Sequence, residues 1–172
     1  KKIKNFEYTN PDLLLGKDKS LIFFDEKGSI LKFSKDSKLI WKKNYYDKKE
    51  IKQKPTIYFA TDNNILIVAD SLAKLYAMDY SNGNILWKKI NTTSFNSEIK
   101  IIDDKVFIVD LDNRIKCISL KDGNEIWNFN TEKSFIKSQR QISLVIYNGL
   151  VAFMDTFGDI NALDLNTGKL VW

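Results

Sequence analysis

Four tryptophans recur along this chain at near-equal spacing, and each closes the same short phrase. Trp41, Trp87, Trp127 and Trp172 lie 46, 40 and 45 residues apart. The clearest copies read LYAMDYSNGNILW (75–87), IKCISLKDGNEIW (115–127) and INALDLNTGKLVW (160–172). A period of roughly 40 to 50 residues with a strand–turn–strand phrase inside it is the signature of a β-propeller blade. Such a unit cannot bury its apolar surface alone, so the period fixes a stack of similar units rather than one unrepeated core.

The third copy is the cleanest. Residues 105–110 (KVFIVD) are rich in β-branched and aromatic types, as a largely buried strand should be. Residues 110–113 supply a turn. Residues 114–119 (RIKCIS) alternate, offering Ile115, Cys117 and, in a looser reading, Ile118 for burial. Lys121-Asp122-Gly123-Asn124 is a hairpin signal, since Asp-Gly accepts the positive φ that tight turns require. Residues 125–130 (EIWNFN) close the set, with Ile126 on one face and Trp127 on the other, and a strand at 98–102 precedes it. Four strands make one blade.

The same reading places blades at about 12–43, 56–90, 98–130 and 143–172, with Asn82-Gly83 and Thr167-Gly168 at the hairpins of the second and fourth. Residues 169–172 are read as the closing strand of the fourth. The first copy is worn: Asp36-Ser37 stands where glycine stands elsewhere. Its phrase is also one residue shorter, since Asp25 to Trp41 spans 16 residues and Asp155 to Trp172 spans 17. Asp25, Asp70, Asp110 and Asp155 end the second strands, where a carboxylate can accept backbone N–H bonds from the turn that follows. Gly28 and Gly158 stand three residues later, at a point that calls for positive φ. The tryptophans combine large apolar area with one N–H donor, which suits docking each blade on its neighbour.

Composition excludes several classes. The net charge of +5 comes from 27 basic and 22 acidic residues that interleave along the chain, a solvated surface rather than a nucleic-acid face. Cys117 is the single cysteine and histidine is absent, so neither an internal disulfide nor a zinc cluster is available. Cys117 lies in strand sequence and reads as a small buried residue. No apolar run approaches the length of a membrane span, and the opening KKIKNFEYTN is charged with no apolar stretch behind it. Residues 48–54 (KKEIKQK) read as a solvated loop between blades, and Asn91-Thr92-Thr93 as a chance sequon. No catalytic, cofactor-binding or metal-binding residue is assigned.

The phrase A-L-D-x-x-T-G-x-x-x-W resembles the repeat of the pyrroloquinoline-quinone (PQQ)-like propellers, and Ala162-Leu163-Asp164, Thr167-Gly168 and Trp172 reproduce it. The spacing of all four copies, from about Ser20 onward, resembles the first half of the BamB family of outer-membrane assembly lipoproteins. That resemblance implies an all-β, eight-bladed ring of four-stranded blades, of which about four lie here. It also implies a periplasmic scaffold held to the membrane only through an upstream lipid anchor, with the periplasmic domain of BamA as partner. By position the partner-binding loop falls on residues 134–141 (SFIKSQRQ). Ile136 matches an apolar position of the family. Ser138 and Gln139 depart from the apolar residue and arginine found there, and Arg140 stands one place late. Two rivals stay open: a quinoprotein dehydrogenase-like domain, and a PQQ-like sensor or adhesion module with another partner.

Overall fold

The second and third sheets carry apolar side chains on both faces because each is packed between two others. The structure, a computed structural model, describes residues 13–25, 27–131 and 141–172. Among the described residues it is all-β apart from one short helix. Four antiparallel sheets follow one another along the chain. The first comprises β1 (Leu13–Leu15), β2 (Leu21–Phe24), β3 (Ser29–Phe33) and β4 (Leu39–Asn44). A short helix, α1 (Lys48–Lys52), leads to β5 (Ile57–Asp62), β6 (Ile65–Asp70), β7 (Lys74–Asp79) and β8 (Ile85–Ile90). The third sheet holds β9 (Lys100–Ile102), β10 (Lys105–Val109), β11 (Arg114–Ser119) and β12 (Glu125–Asn130). The fourth holds β13 (Leu144–Tyr147), β14 (Leu150–Met154) and β15 (Ile160–Asp164). Strands pair in chain order within every sheet, and β1, β5, β9 and β13 approach one another across sheets. The first strands therefore line the axis and the fourth strands form the rim, which is the architecture of a propeller.

The core is three inter-blade layers. Leu66 and Val68 of β6 join Ile22, Ile30 and Trp41 of the first sheet, while Ile67 and Ala69 of the same strand join Val106 and Ile108 of the third. Phe107 and Val109 then turn the other way, onto Leu144, Val151 and Phe153. This period-2 alternation sends successive residues into different cores. It also explains β11: Ile115 and Cys117 serve the layer towards the fourth sheet, and Ile118 serves the opposite one.

The tryptophans tie these layers together by one repeated contact. The Nε1–H of Trp41 donates to the Tyr80 carbonyl at 3.1 Å, that of Trp87 to Leu120 at 2.9 Å, and that of Trp127 to Leu165 at 3.2 Å. Three residues beyond each acceptor stands a glycine pressed on the same indole. A Cβ at Gly123 would lie 2.6 Å from Trp87 Cε3, and one at Gly168 would lie 2.6 Å from Trp127 Cδ2. Gly123 also has φ +70°, so both the backbone and the approach of the ring require glycine there. At the first seam Lys32, itself buried, adds a donor to the Tyr80 carbonyl at 3.2 Å and stands 3.3 Å from the centre of the Tyr80 ring.

Two expectations need correction. Residues 169–172 do not form a fourth strand: Leu163 and Leu170 make an isolated bridge, after which only Ala162 and Trp172 remain opposed. In the first three blades the fourth strand forms around a shared bulge. The ladder shifts between Lys32 and Phe33, between Ala77 and Met78, and between Cys117 and Ile118. The residue before each tryptophan is thereby squeezed out of the ladder, so Ile126, read as a face residue, is 48% exposed. The second correction concerns residues 48–54, whose first part is helical. Asp47 caps α1 by accepting from the Lys49 and Glu50 amides, and Glu50 returns a bond to the Asp47 amide. That capping box holds a one-turn helix that would not persist alone.

If the indole contact holds adjacent blades together, Trp127→Ala should lower stability by about 3 kcal/mol. Urea denaturation of the two proteins checks this, with an unchanged midpoint as the contrary result.

Candidate functional site

The turns between second and third strands and the connections between blades share one end of the sheets, and buried polar side chains bond across blades there. Its framework is four copies of one turn. Oδ1 of Asp25 accepts from the Lys27 and Ser29 amides, and Oδ1 of Asp70 from those of Leu72 and Lys74. Asp110 binds Asp112 and Arg114 in the same way, and Asp155 binds Phe157 and Asp159. The residue three places after each aspartate has positive φ: Gly28, Ala73, Asn113 and Gly158. All four carboxylates are buried. Their second oxygens reach outward: Asp25 Oδ2 takes Lys42 Nζ at 3.2 Å, Asp70 Oδ2 takes the Tyr46 hydroxyl at 2.6 Å, and Asp110 Oδ2 takes Asn91 Nδ2 at 3.0 Å. Tyr46 and Asn91 lie just beyond β4 and β8, so these aspartates fasten one blade's exit to the next blade's turn.

The densest part is the seam of blades one and two. Tyr46 and Tyr76 share a hydrogen bond of 2.7 Å, and Lys74 bridges Glu50 of α1 while lying 4.5 Å from the Tyr46 ring centre. Burial, then the neighbouring Tyr76 and the Asp70 carboxylate, push the Tyr46 hydroxyl far above the ordinary tyrosine range. Burial raises Tyr76 as well, against the bond it shares with Tyr46. Burial also raises Asp70, outweighing the bonds from Tyr46 and the Lys74 and Leu72 amides. Beside this network an open, largely polar cavity of about 410 Å³ is lined by Glu50, Gln53, Ser71, Thr92, Thr93 and Ser94 among others.

The connection leaving blade three carries the residues singled out for partner binding. Ile136, Ser138, Gln139 and Arg140 lie outside the described residues. The flanks are described. Thr131 is buried, Gln141 is exposed, and Ile142 is buried in the layer between blades three and four. The Ile142 amide donates to the Asn96 carbonyl at 2.8 Å, and Ile142 bridges Ser97 in parallel. Farther along the same seam, Asn113 Oδ1 accepts from the Thr156 amide and hydroxyl at 3.0 and 2.7 Å.

Sequence reasoning passed over Tyr46, Tyr76, Asn91 and the carbonyls of Tyr80, Leu120 and Leu165. The last three leave a trace in the repeated phrase, where an apolar residue always stands three before the glycine. Tyr46 and Asn91 left none, because the two connections differ in length and composition. Cys117 is fully buried, and burial pushes its thiol up to about 12. Among the described residues no three histidine, cysteine or acidic side chains cluster as metal ligands, and no helix is long and apolar enough to cross a membrane.

A family model described as "Outer membrane protein assembly factor BamB" matches residues 26–172. The chain belongs to the BamB family. BamB of Moranella endobia (strain PCIT) is 24% identical over 109 residues, covering 63% of this chain and 28% of that protein. The crystal structure of BamB from Moraxella catarrhalis superposes with a TM-score of 0.73 at 20% identity, covering 94% of this chain and 46% of that one. The chain thus spans less than half the length of either BamB. A quinohemoprotein alcohol dehydrogenase, ADH IIB of Pseudomonas putida, is 26% identical over 128 residues, covering 64% of this chain and 18% of the dehydrogenase. These likenesses place the four sheets as propeller blades of the PQQ-like repeat type carried by BamB.

The tyrosine network makes stability depend on alkaline pH. Unfolded tyrosines ionise near about pH 10, whereas folded Tyr46 and Tyr76 resist ionisation. Their contribution is complete below about pH 10 and falls as pH rises beyond it. Tyr46→Phe should shrink the loss of urea midpoint between about pH 8 and pH 11, while costing about 1–3 kcal/mol at neutral pH by leaving Asp70 short of a donor. An equal alkaline loss in both proteins would remove the network from the account.

Proposed function

We propose that this chain is a non-catalytic, protein-binding scaffold of the BamB type, working in outer-membrane protein assembly on the periplasmic side of that membrane. Its partner is the periplasmic domain of a BamA-type protein, met through residues 134–141 with Ile136 and Arg140 as the principal contacts. The observation that carries this reading is the family match over residues 26–172. The disposition of side chains supports it. The buried apolar residues of the strands pack in three inter-blade layers, and the four turn aspartates each hold two backbone amides. The raised thiol of Cys117 is a poor nucleophile near neutral pH. The connections offer a surface for recognition, where an extended segment can add its backbone to a partner's strand.

A second reading, an oxidoreductase domain, is favoured by the likeness to the Pseudomonas putida dehydrogenase. Alcohol oxidation in a dye-linked assay with pyrroloquinoline quinone and calcium would select it over the scaffold.

The test of the scaffold is a pull-down of the BamA-type periplasmic domain by the wild-type chain and by Ile136→Asp with Arg140→Glu. Binding should fall at least about tenfold while the melting curve stays in place. Undiminished binding would move the contact elsewhere.

A further inference from the structure

The first two inter-blade seams share one frame and differ in what fills it. Tyr45 and Asn91 each stand four residues beyond a tryptophan. The Tyr45 amide donates to the Gly28 carbonyl at 3.3 Å and the Asn91 amide to that of Ala73 at 2.7 Å, so the two hold the same main-chain place. In each seam a lysine reaches the next blade's hairpin: Lys43 bonds Asn84 at 2.9 Å, and Lys89 bonds Asn124 at 3.0 Å. In the first seam the Tyr45 ring lies 5.9 Å from that of Tyr76, and its hydroxyl donates to the Gly83 carbonyl. A tyrosine of the chain itself thus fills the gap between blades one and two.

The second seam lacks that ring. Asn91 is shorter and turns aside, its Nδ2 donating to the Thr93 carbonyl at 2.8 Å and to Asp110 at 3.0 Å. A cavity of about 210 Å³ stands in the seam, and an apolar space of about 150 Å³ is enough for one benzene ring. Leu75, Phe95 and Ile118, all buried, give it apolar walls. Lys116 lines it in the place of Tyr76, since each precedes the residue paired with its blade's tryptophan. The Lys116 ammonium is bonded to Glu125 at 3.0 Å. Gly123, the counterpart of Gly83, lines the cavity too. Among the described residues no hydroxyl reaches its carbonyl as Tyr45 reaches that of Gly83. A ring seated there would meet apolar side chains, an ammonium that favours an electron-rich face, and a carbonyl open to a donor.

We propose that the cleft between blades two and three is a binding site for a phenol ring, supplied as the tyrosine side chain of another polypeptide. The molecule itself names the occupant: one seam earlier the equivalent place is held by Tyr45, under the same framing lysine and on the same glycine carbonyl. Tyrosine is preferred to phenylalanine because only its hydroxyl can meet the Gly123 carbonyl. Lys89, Asn124 and Glu125 are exposed at the cleft and suit the peptide groups on either side of the guest tyrosine. The site is independent of the scaffold reading and would stand even if residues 134–141 bound nothing.

The test titrates the chain with N-acetyl-tyrosinamide, N-acetyl-phenylalaninamide and p-cresol while backbone amide NMR signals are followed. N-acetyl-tyrosinamide should shift the Gly123 and Asn124 amides with a Kd of about 1–10 mM, as befits so small a ligand. N-acetyl-phenylalaninamide should bind at least about fivefold more weakly, because it leaves the Gly123 carbonyl unmet. Asn91→Tyr should fill the cleft and abolish binding. Asn91→Ala loses the same bonds to Thr93 and Asp110 but leaves the space open, so it should retain binding; circular dichroism checks that both variants fold. Whether or not Asn91→Tyr folds, nuclear Overhauser contacts from the bound ring to the Leu75 and Ile118 methyl groups of the wild-type chain should locate the guest, and their absence would overturn the proposal. An unshifted Gly123 amide, equal affinity for the tyrosine and phenylalanine derivatives, or undiminished binding by folded Asn91→Tyr would overturn it too. Binding of p-cresol without N-acetyl-tyrosinamide would make the cleft a site for a free phenol and would likewise overturn it.

Discussion

An indole of one blade lies where the next blade has no Cβ, and its single N–H reaches the carbonyl three residues before that gap. The rest of the molecule depends on this contact, because no single blade has a core of its own. A four-stranded sheet with two apolar faces is stable only when both are covered. The contact sets how far apart neighbouring sheets lie and how they are rotated, since the donor must reach one carbonyl while the ring flattens against one glycine. Once that spacing is fixed, Leu66 and Val68 meet the first blade while Ile67 and Ala69 meet the third.

At the opposite end of the sheets the same seams are held by polar bonds. Each turn aspartate spends one oxygen on its own loop, and three of the four turn the other to a side-chain donor. For Asp70 and Asp110 the donor comes from the preceding connection, so blades are pinned at rim and turn alike. The buried trio of Tyr46, Tyr76 and Asp70 is the tightest of these pins, and its hydroxyls belong to both seam and turn. Connections so anchored at their ends can vary between them, as α1, residues 91–99 and the stretch before Ile142 do.

The period of the tryptophans and the strand phrases made the propeller legible, because both faces of each strand leave β-branched and aromatic runs. The glycine hairpins were equally plain. The bulge was not: Ile40, Leu86, Ile126 and Val171 are apolar like their neighbours, and their expulsion follows from ladder geometry rather than residue type. Residues 169–172 resemble a strand in residue type, yet Leu170 alone makes a bridge, to Leu163. Helix α1 carried a readable signal in Asp47 and Glu50 that its lysines obscured. Of the candidate partner-binding residues, sequence position alone speaks, since Ile136, Ser138, Gln139 and Arg140 lie outside the described residues. The cross-blade donors Tyr46 and Asn91 could not be read in advance, because no repeat relates one connection to the next.

The family likeness and the packing agree that these residues are built to hold neighbouring surfaces in register. The most direct measurement of that physical core is a double-mutant cycle between Trp87→Ala and Gly123→Ala by urea denaturation. If the indole occupies the space of the missing Cβ, Gly123→Ala should cost much less once Trp87 is gone, leaving a coupling above about 1 kcal/mol. Costs that add to within about 0.5 kcal/mol would show that glycine and tryptophan act separately, and would contradict the account.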